Sequence, residues 1–297
     1  MRASPAAVLL LSVLGISIAG PLVRLSGAHP IAIAVWRLAF SLVVVAGALA
    51  ITGGWRQWRT LTPRALAVAV GAGVLLALHF WAWNSSIGLT TVAASVVLVS
   101  LQPAIVALAS ALWLGERPAP AQFAGIAVAM LGAVIVAVPD LLASRHAAGA
   151  SGGRALLGDG LALAGAVAGA LYYTSGRRLR ATLDLWPYVG LVYGACLATL
   201  LVIAAVLRVP LGGQPPRDLA IFAALALGPM LVGHTGMNWA LKYLPAYVVN
   251  LTVLGEPVGA TLLAALIPGI GELPSAATLL GGALVLGGAI RASGSAR

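Results

Sequence analysis

One stretch of this chain occurs twice. Asn84 and Asn238 stand 154 residues apart, and at the same offset Val99-Ser100-Leu101-Gln102-Pro103 meets Val253-Leu254-Gly255-Glu256-Pro257. After a two-residue insertion the offset becomes 156. There Gly115-Glu116 meets Gly271-Glu272, Pro118 meets Pro274, Gly125 meets Gly281 and Gly132-Ala133 meets Gly288-Ala289. Identities held in register over about fifty positions point to an internal duplication, which constrains the fold before any element is assigned. Each copy is expected to supply half of one cavity.

The duplicated unit is apolar throughout. The chain is 61% hydrophobic and 8% charged, against roughly 25% charged residues in soluble domains. This reads as an all-α integral membrane protein, because a chain in lipid must satisfy its own backbone through helices or a closed barrel. Runs of about twenty apolar residues fit helices, and the alternation that barrel strands require is missing. Ten spans are expected, at 6–25, 31–51, 65–83, 90–112, 121–139, 156–175, 186–207, 219–241, 245–267 and 274–290. The first follows Arg2 in the manner of a signal peptide. Arg24 is a poor neighbour for a cleavage site, and the repeat needs a partner for 156–175, so the segment is read as a retained span. The chain divides into residues 1–139, a flexible Ala/Gly/Ser-rich linker at 140–155, and residues 156–297.

The net charge of +10 does not indicate nucleic acid, since the basic residues lie in short loops where they set topology. With the N-terminus in the cytoplasm, that side holds Arg2, Arg56, Arg59, Arg64, Arg117, Arg177, Arg178, Arg180, Lys242, Arg291 and Arg297, eleven in all. The other side holds five: Arg24, Arg145, Arg154, Arg208 and Arg217. Both termini are therefore expected in the cytoplasm. An odd number of spans per copy then inverts the second copy, giving ten transmembrane helices as two inverted five-helix repeats. Inverted repeats are an architecture of alternating-access carriers. Trp55 and Trp58 read as interfacial anchors, and the Gly125/Gly132 and Gly281/Gly288 faces as close helix-packing surfaces.

The duplicated Glu-Pro and Gly-Glu-x-Pro patterns, Trp36-Arg37 and the Gly-rich last helix resemble the EamA branch of the drug/metabolite transporter superfamily. Within it the chain most resembles the YddG-type exporters of aromatic amino acids. The resemblance implies export of small metabolites through a cavity between two five-helix halves, in the inner (plasma) membrane of a bacterium, by a protein working as a monomer. One departure stands out. Gln102 occupies the position that Glu256 holds in the second copy, so a scheme needing two symmetric carboxylates is in doubt.

Ionisable groups inside the membrane are costly and are functional candidates by default. His79 and Trp83 share a helix face, as do His234 and Asn238; Phe80 and Asn84 are the strict repeat equivalents of the second pair. Substrate contact is expected from His79, Trp83, Asn84, Gln102, His234 and Asn238, with Trp81 or Trp83 against an apolar or aromatic side chain; the alternative is interhelical hydrogen bonding, with tryptophan as an interface anchor, and for Asn238 the alternative is favoured. Glu256, roughly 16 Å into its helix, has either a coupling role or a hydrogen-bonding role shared with Gln102, and the second is favoured. Arg37, about 9 Å into its helix, either snorkels outward or pairs with a substrate carboxylate. Tyr172, Tyr173 and Thr174 read as interfacial anchors, with cavity contact the lesser alternative. Glu116 and Glu272 are expected to cap the helices starting near Pro118 and Pro274.

Two histidines without nearby Cys, Asp or Glu ligands do not make a metal site, and no cofactor is expected. Phosphate-loop and HExxH motifs and a mid-span aspartate pair are missing from the sequence, which argues against an enzyme and against intrinsic ATP driving. A passive channel or facilitator is the competing reading, although channels tend to carry rings of like groups. The partners expected are a small-molecule substrate, an amino acid or related metabolite, and the lipid bilayer.

Overall fold

The computed structural model describes residues 4–116, 119–146 and 150–294. Arg2, Arg117, Pro118 and Arg297, used above for topology and repeat matching, lie outside them. The described residues are helical throughout, without strands. Eight helices are long and apolar enough to cross a membrane, and shorter apolar stretches at Pro120–Gly132 and Ala276–Gly288 accompany them.

In chain order, α1 is Pro5–Leu25, α2 Pro30–Thr52 and α3 Pro63–Ile87. α4 is assembled from Val92–Val99, Gln102–Ala109 and a wide turn at Ser110–Leu114. α5 is Pro120–His146 and α6 is Ala150–Arg180. α7 is Leu185–Val206 and α8 is Pro216–Ala240. α9 is Ala246–Leu266 and α10 is Ala276–Gly294. Residues 140–146 and 150–155 are helical, not the flexible linker expected. Alanine favours helix, and Gly152 and Gly153 do not break α6.

Proline starts several of these helices, at Pro5, Pro30, Pro63 and Pro216. At the first turn its missing N–H costs nothing and its fixed φ is already helical. Inside a span the same residue does the opposite. Pro103 and Pro257 leave a carbonyl one turn earlier without its donor. α4 is accordingly interrupted before Gln102, and α9 tightens into a turn at Thr252–Gly255 before Glu256. In α8, Pro229 sits within a widened stretch, Ala226–His234; such π-type turns recur at functional sites.

Leu10, Val43, Leu112, Val202 and Leu266 are each more than half exposed, as side chains facing lipid would be. The interior combines apolar residues from many helices, among them Ile31, Leu38, Leu76, Phe80, Val192, Leu200 and Met230. α5 and α10 meet backbone to backbone. A Cβ on Gly132 would lie 2.8 Å from the Val285 nitrogen, and one on Gly288 would lie 2.6 Å from the Ala129 nitrogen. Those two glycines are repeat equivalents, so the close contact is made once from each copy.

Candidate functional site

The three irregular helices α4, α8 and α9 bring their breaks to one place. Gln102 opens the second segment of α4, Glu256 opens the second segment of α9, and His234 ends the wide turn of α8. A helix segment starting at mid-membrane points the positive end of its dipole at whatever lies there, a device seen in carriers with discontinuous helices. Around this point lies a cavity of ≈ 30 Å³ lined by Arg37, His79, Trp83, Gln102, Tyr173, His234 and Glu256 among others. That is room for about two waters, small beside the roughly 300–1,000 Å³ of ligand pockets.

Ring contacts order the wall. His79 and Trp83 stack with centroids 6.3 Å apart. His234 meets the edge of Phe80 at 5.4 Å and lies parallel to Tyr173 at 6.2 Å. Phe80 and His234 occupy the same position in the two copies and touch each other. The His79 ring donates from Nδ1 to the Gly165 carbonyl at 2.8 Å, since a carbonyl only accepts. This fixes the ring and, in the neutral tautomer, leaves Nε2 as an acceptor. Tyr173 Oη and His234 Nδ1 are hydrogen-bonded at 3.1 Å.

Arg37 decides the character of the cavity. It is fully buried, so it does not snorkel. Among the described residues its Nε and Nη1 have no hydrogen-bond partner. Nη2 reaches only the Met230 sulfur at 3.9 Å, and the guanidinium carbon stands 4.2 Å over the Phe80 ring. Trp83 Nε1 and Gln102 Oε1 are likewise buried without partners. The site therefore presents donors that fit an anion, an acceptor that fits an ammonium or amide, and aromatic faces.

Two of the expected contact residues point elsewhere. Asn84 donates to the Pro30 carbonyl at 3.2 Å. Asn238 is wholly buried and donates to the Tyr172 hydroxyl at 2.5 Å and to Tyr193 Oη at 3.4 Å. Neither lines the cavity, and both tie helices together. Trp81 is 36% exposed and faces outward, whereas Trp83 is buried.

Tyr172, Tyr173 and Thr174 are buried rather than interfacial, because α6 continues to Arg180 and carries them inward. Tyr173 lines the cavity, the lesser of the two alternatives read from the sequence, and the reading missed Gly169 one turn earlier. A Cβ there would lie 2.5 Å from Gln102 Oε1 and 2.9 Å from His79 Nδ1, so the bare backbone of α6 makes room for two cavity side chains. The signal available was Gly165 and Gly169 at helical spacing beside Tyr172-Tyr173.

Glu116 and Glu272 do cap helix starts, but across the molecule rather than next to themselves. Glu116 accepts from the Ala246 nitrogen at 3.2 Å and Glu272 from the Val92 nitrogen at 2.9 Å. A larger cavity of ≈ 360 Å³ lies at the end of the bundle, lined by Gln57, Arg180, Asp184, Trp239, Lys242 and Tyr243 among others. There hydrogen bonds from Gln57 and then Lys242 hold the Asp184 carboxyl below its usual range. Its carboxylate is already paired, so the central cavity, with its unpaired buried donors, is the better candidate. Among the described residues no group of three or more His, Cys, Asp or Glu is placed to hold a metal ion.

Comparison with known proteins gives a coherent result. The model of the EamA-like transporter family matches residues 4–138 and 156–293, and that of solute carrier family 35 matches residues 83–208. No curated protein resembles the chain closely enough to count as a match. Among the solved structures that match is a crystal structure 22% identical in sequence. The alignment covers 99% of this chain and 97% of that one, with a TM-score of 0.70, and at that identity the likeness speaks to the fold alone. Two matched segments span nearly the whole chain, and the protein belongs to the EamA-like transporter family, a family of membrane transporters and not of enzymes.

Proposed function

We propose that the protein is a secondary transporter that exports amino acids with aromatic or large apolar side chains by alternating access of the central cavity. The carrier is built from two inverted five-helix repeats, residues 1–139 and 156–297, with both termini in the cytoplasm. The observation that carries the reading is Arg37, a buried guanidinium with two unpartnered nitrogens facing His79, Trp83, Gln102, His234 and Glu256. Burying an unpaired charge is expensive, and a substrate carboxylate would complete it with charge-assisted hydrogen bonds. Gln102 Oε1 and a side-chain oxygen of Glu256 provide acceptors for an ammonium group, and Trp83 with Tyr173 provides faces for a ring.

The test is uptake into proteoliposomes with a panel of radiolabelled amino acids and nucleosides. Saturable uptake with counterflow is expected, with phenylalanine, tyrosine and tryptophan competing better than alanine or threonine. Linear flux without counterflow would favour a passive facilitator, and nucleoside preference would remove the substrate assignment. Cysteines placed at Ser4 and Ser151 should label from opposite sides of the membrane; labelling of both from one side refutes the topology.

A further inference from the structure

The two copies of the Gly-Glu motif build the same clip at opposite ends of the bundle. In the first, Arg24 donates to Glu272 Oε1 through Nη2 and, at 2.8 Å, through Nε. Arg24 Nη1 donates to the Ile87 carbonyl at 2.5 Å, and Glu272 Oε2 accepts from the Val92 nitrogen at 2.9 Å. In the second, Arg177 Nε donates to Glu116 Oε1 at 2.8 Å and Nη1 to the Leu241 carbonyl at 2.7 Å, while Glu116 Oε2 accepts from the Ala246 nitrogen at 3.2 Å. The correspondence holds residue by residue. Val92 to Ala246 and Ile87 to Leu241 are 154 positions apart, Glu116 to Glu272 is 156, and Arg24 to Arg177 is 153.

In each clip the glutamate comes from one copy and every group it holds comes from the other. The clips lie at opposite ends because α4 starts against Glu272 and ends beside Glu116, a separation of about 30 Å at 1.5 Å per residue. The cavity lies between them. Each capped segment also leads straight to it: Val92–Val99 runs to Gln102, and Ala246–Leu251 runs to the turn before Glu256. With both clips closed, the cavity between them measures ≈ 30 Å³.

We propose that the two clips are the gates of the carrier, each sealing one face of the membrane and opening while the other holds. One carboxylate performs two tasks in each gate. Its withdrawal breaks the pair with arginine and uncaps the helix start, which frees the segment that carries Gln102 or Glu256 to swing. Both pairs are partly exposed, with side-chain exposures of 32% and 19% for Arg24 and Glu272 and of 25% and 20% for Arg177 and Glu116. Water can therefore take over the charges when a gate opens, and the pair can be remade.

This inference rests on the reading of the chain as an alternating-access carrier, and its test reads conformation rather than transport. In the full-length protein carrying Cys196→Ser, a reporter cysteine replaces Ala19, which lines the cavity. A membrane-impermeant maleimide is applied to right-side-out and inside-out vesicles. Glu272→Gln should raise labelling about tenfold, the equivalent of roughly 1.4 kcal/mol, from the face bearing Arg24 only. Glu116→Gln should do so from the face bearing Arg177 only. Should a glutamine variant fail to fold, Arg24→Lys or Arg177→Lys replaces it, keeping the charge while losing the second contact to the carbonyl, with the same sidedness expected. Labelling that changes equally from both faces, or from neither, overturns the gates. Sided labelling in a protein without aromatic preference overturns the substrate reading and leaves the gates standing.

Discussion

Replacing Arg37 by methionine should make the empty protein more stable and weaken its hold on carboxylates. Two guanidinium nitrogens are buried without partners, and each such group costs about 1–3 kcal/mol. Against this stands the contact with Phe80 at 4.2 Å, worth about 2 kcal/mol for a desolvated pair. The Met230 contact at 3.9 Å is too long to add much. Methionine keeps most of the side-chain volume, and swapping buried ions for apolar groups of similar size ranges from neutral to about 4 kcal/mol stabilising. For the ligand the sign reverses. Removing one partner of a buried charge pair costs about 2–5 kcal/mol, or about 30-fold to several thousandfold in Kd. Thermal melting in detergent with and without phenylalanine, together with a direct binding isotherm, reads both quantities. The melting temperature of the ligand-free variant should hold or rise by a few degrees, and the ligand-induced shift should vanish. A melting temperature that falls by several degrees while affinity stays within threefold of wild type would make Arg37 a structural residue and refute the reasoning.

Trp83→Ala should weaken aromatic substrates by about two- to tenfold more than alanine or threonine, the increment of ring contact beyond burial, whereas His79→Ala should weaken all of them alike; competition uptake separates the two. Glu256→Gln should leave uptake largely intact and insensitive to pH, because Gln102 serves at the equivalent position, and loss of activity in a well-folded variant would instead favour proton coupling. Gly288→Val places atoms 2.6 Å from the Ala129 nitrogen, a backbone atom that cannot rotate away, and should lower the melting temperature by at least the effect of an overpacked core, about 1–3 kcal/mol. The lowered Asp184 carboxyl contributes stability that is complete above its unfolded value of about 4 and fades as pH falls through the native one. That contribution should be small at an exposed site and should disappear from the pH–melting profile of Asp184→Asn.

The self-similarity of the chain made its best information readable in advance. An offset of 154 paired Gln102 with Glu256, which both line the cavity where each copy interrupts a helix before the same proline, and Phe80 with His234, whose rings touch. Apolar runs located most of the long helices to within a few residues, while α5 and α6 run about five to seven residues further. Direction around a helix was harder to read. Asn84 and Asn238 lie one turn from Phe80 and His234 and yet face Pro30 and the tyrosines, since helical spacing ranks neighbours without saying which face a partner occupies. Tyr173 was misplaced because Arg177 and Arg178 suggested a helix end, and α6 runs on to Arg180. Glu116 and Glu272 were correctly taken as helix caps but given the wrong helices. Their partners Ala246 and Val92 are 130 and 180 residues away, and local motif grammar is blind at that range.

The unlike pair of Gln102 and Glu256 has a consequence for how such a cavity can arise. Two separate, identical five-helix chains assembled about a twofold axis would bring the same residue to both positions. The cavity would then hold either two carboxylates, which cannot both stay ionised side by side without strong mutual repulsion, or none. Joining the copies in one polypeptide removes that restriction. A single carboxyl group can then share the cavity with the single guanidinium of Arg37, and an imidazole can face a phenyl ring where a dimer would press like against like. The covalent link thus lets one centre recognise a ligand whose own two ends differ.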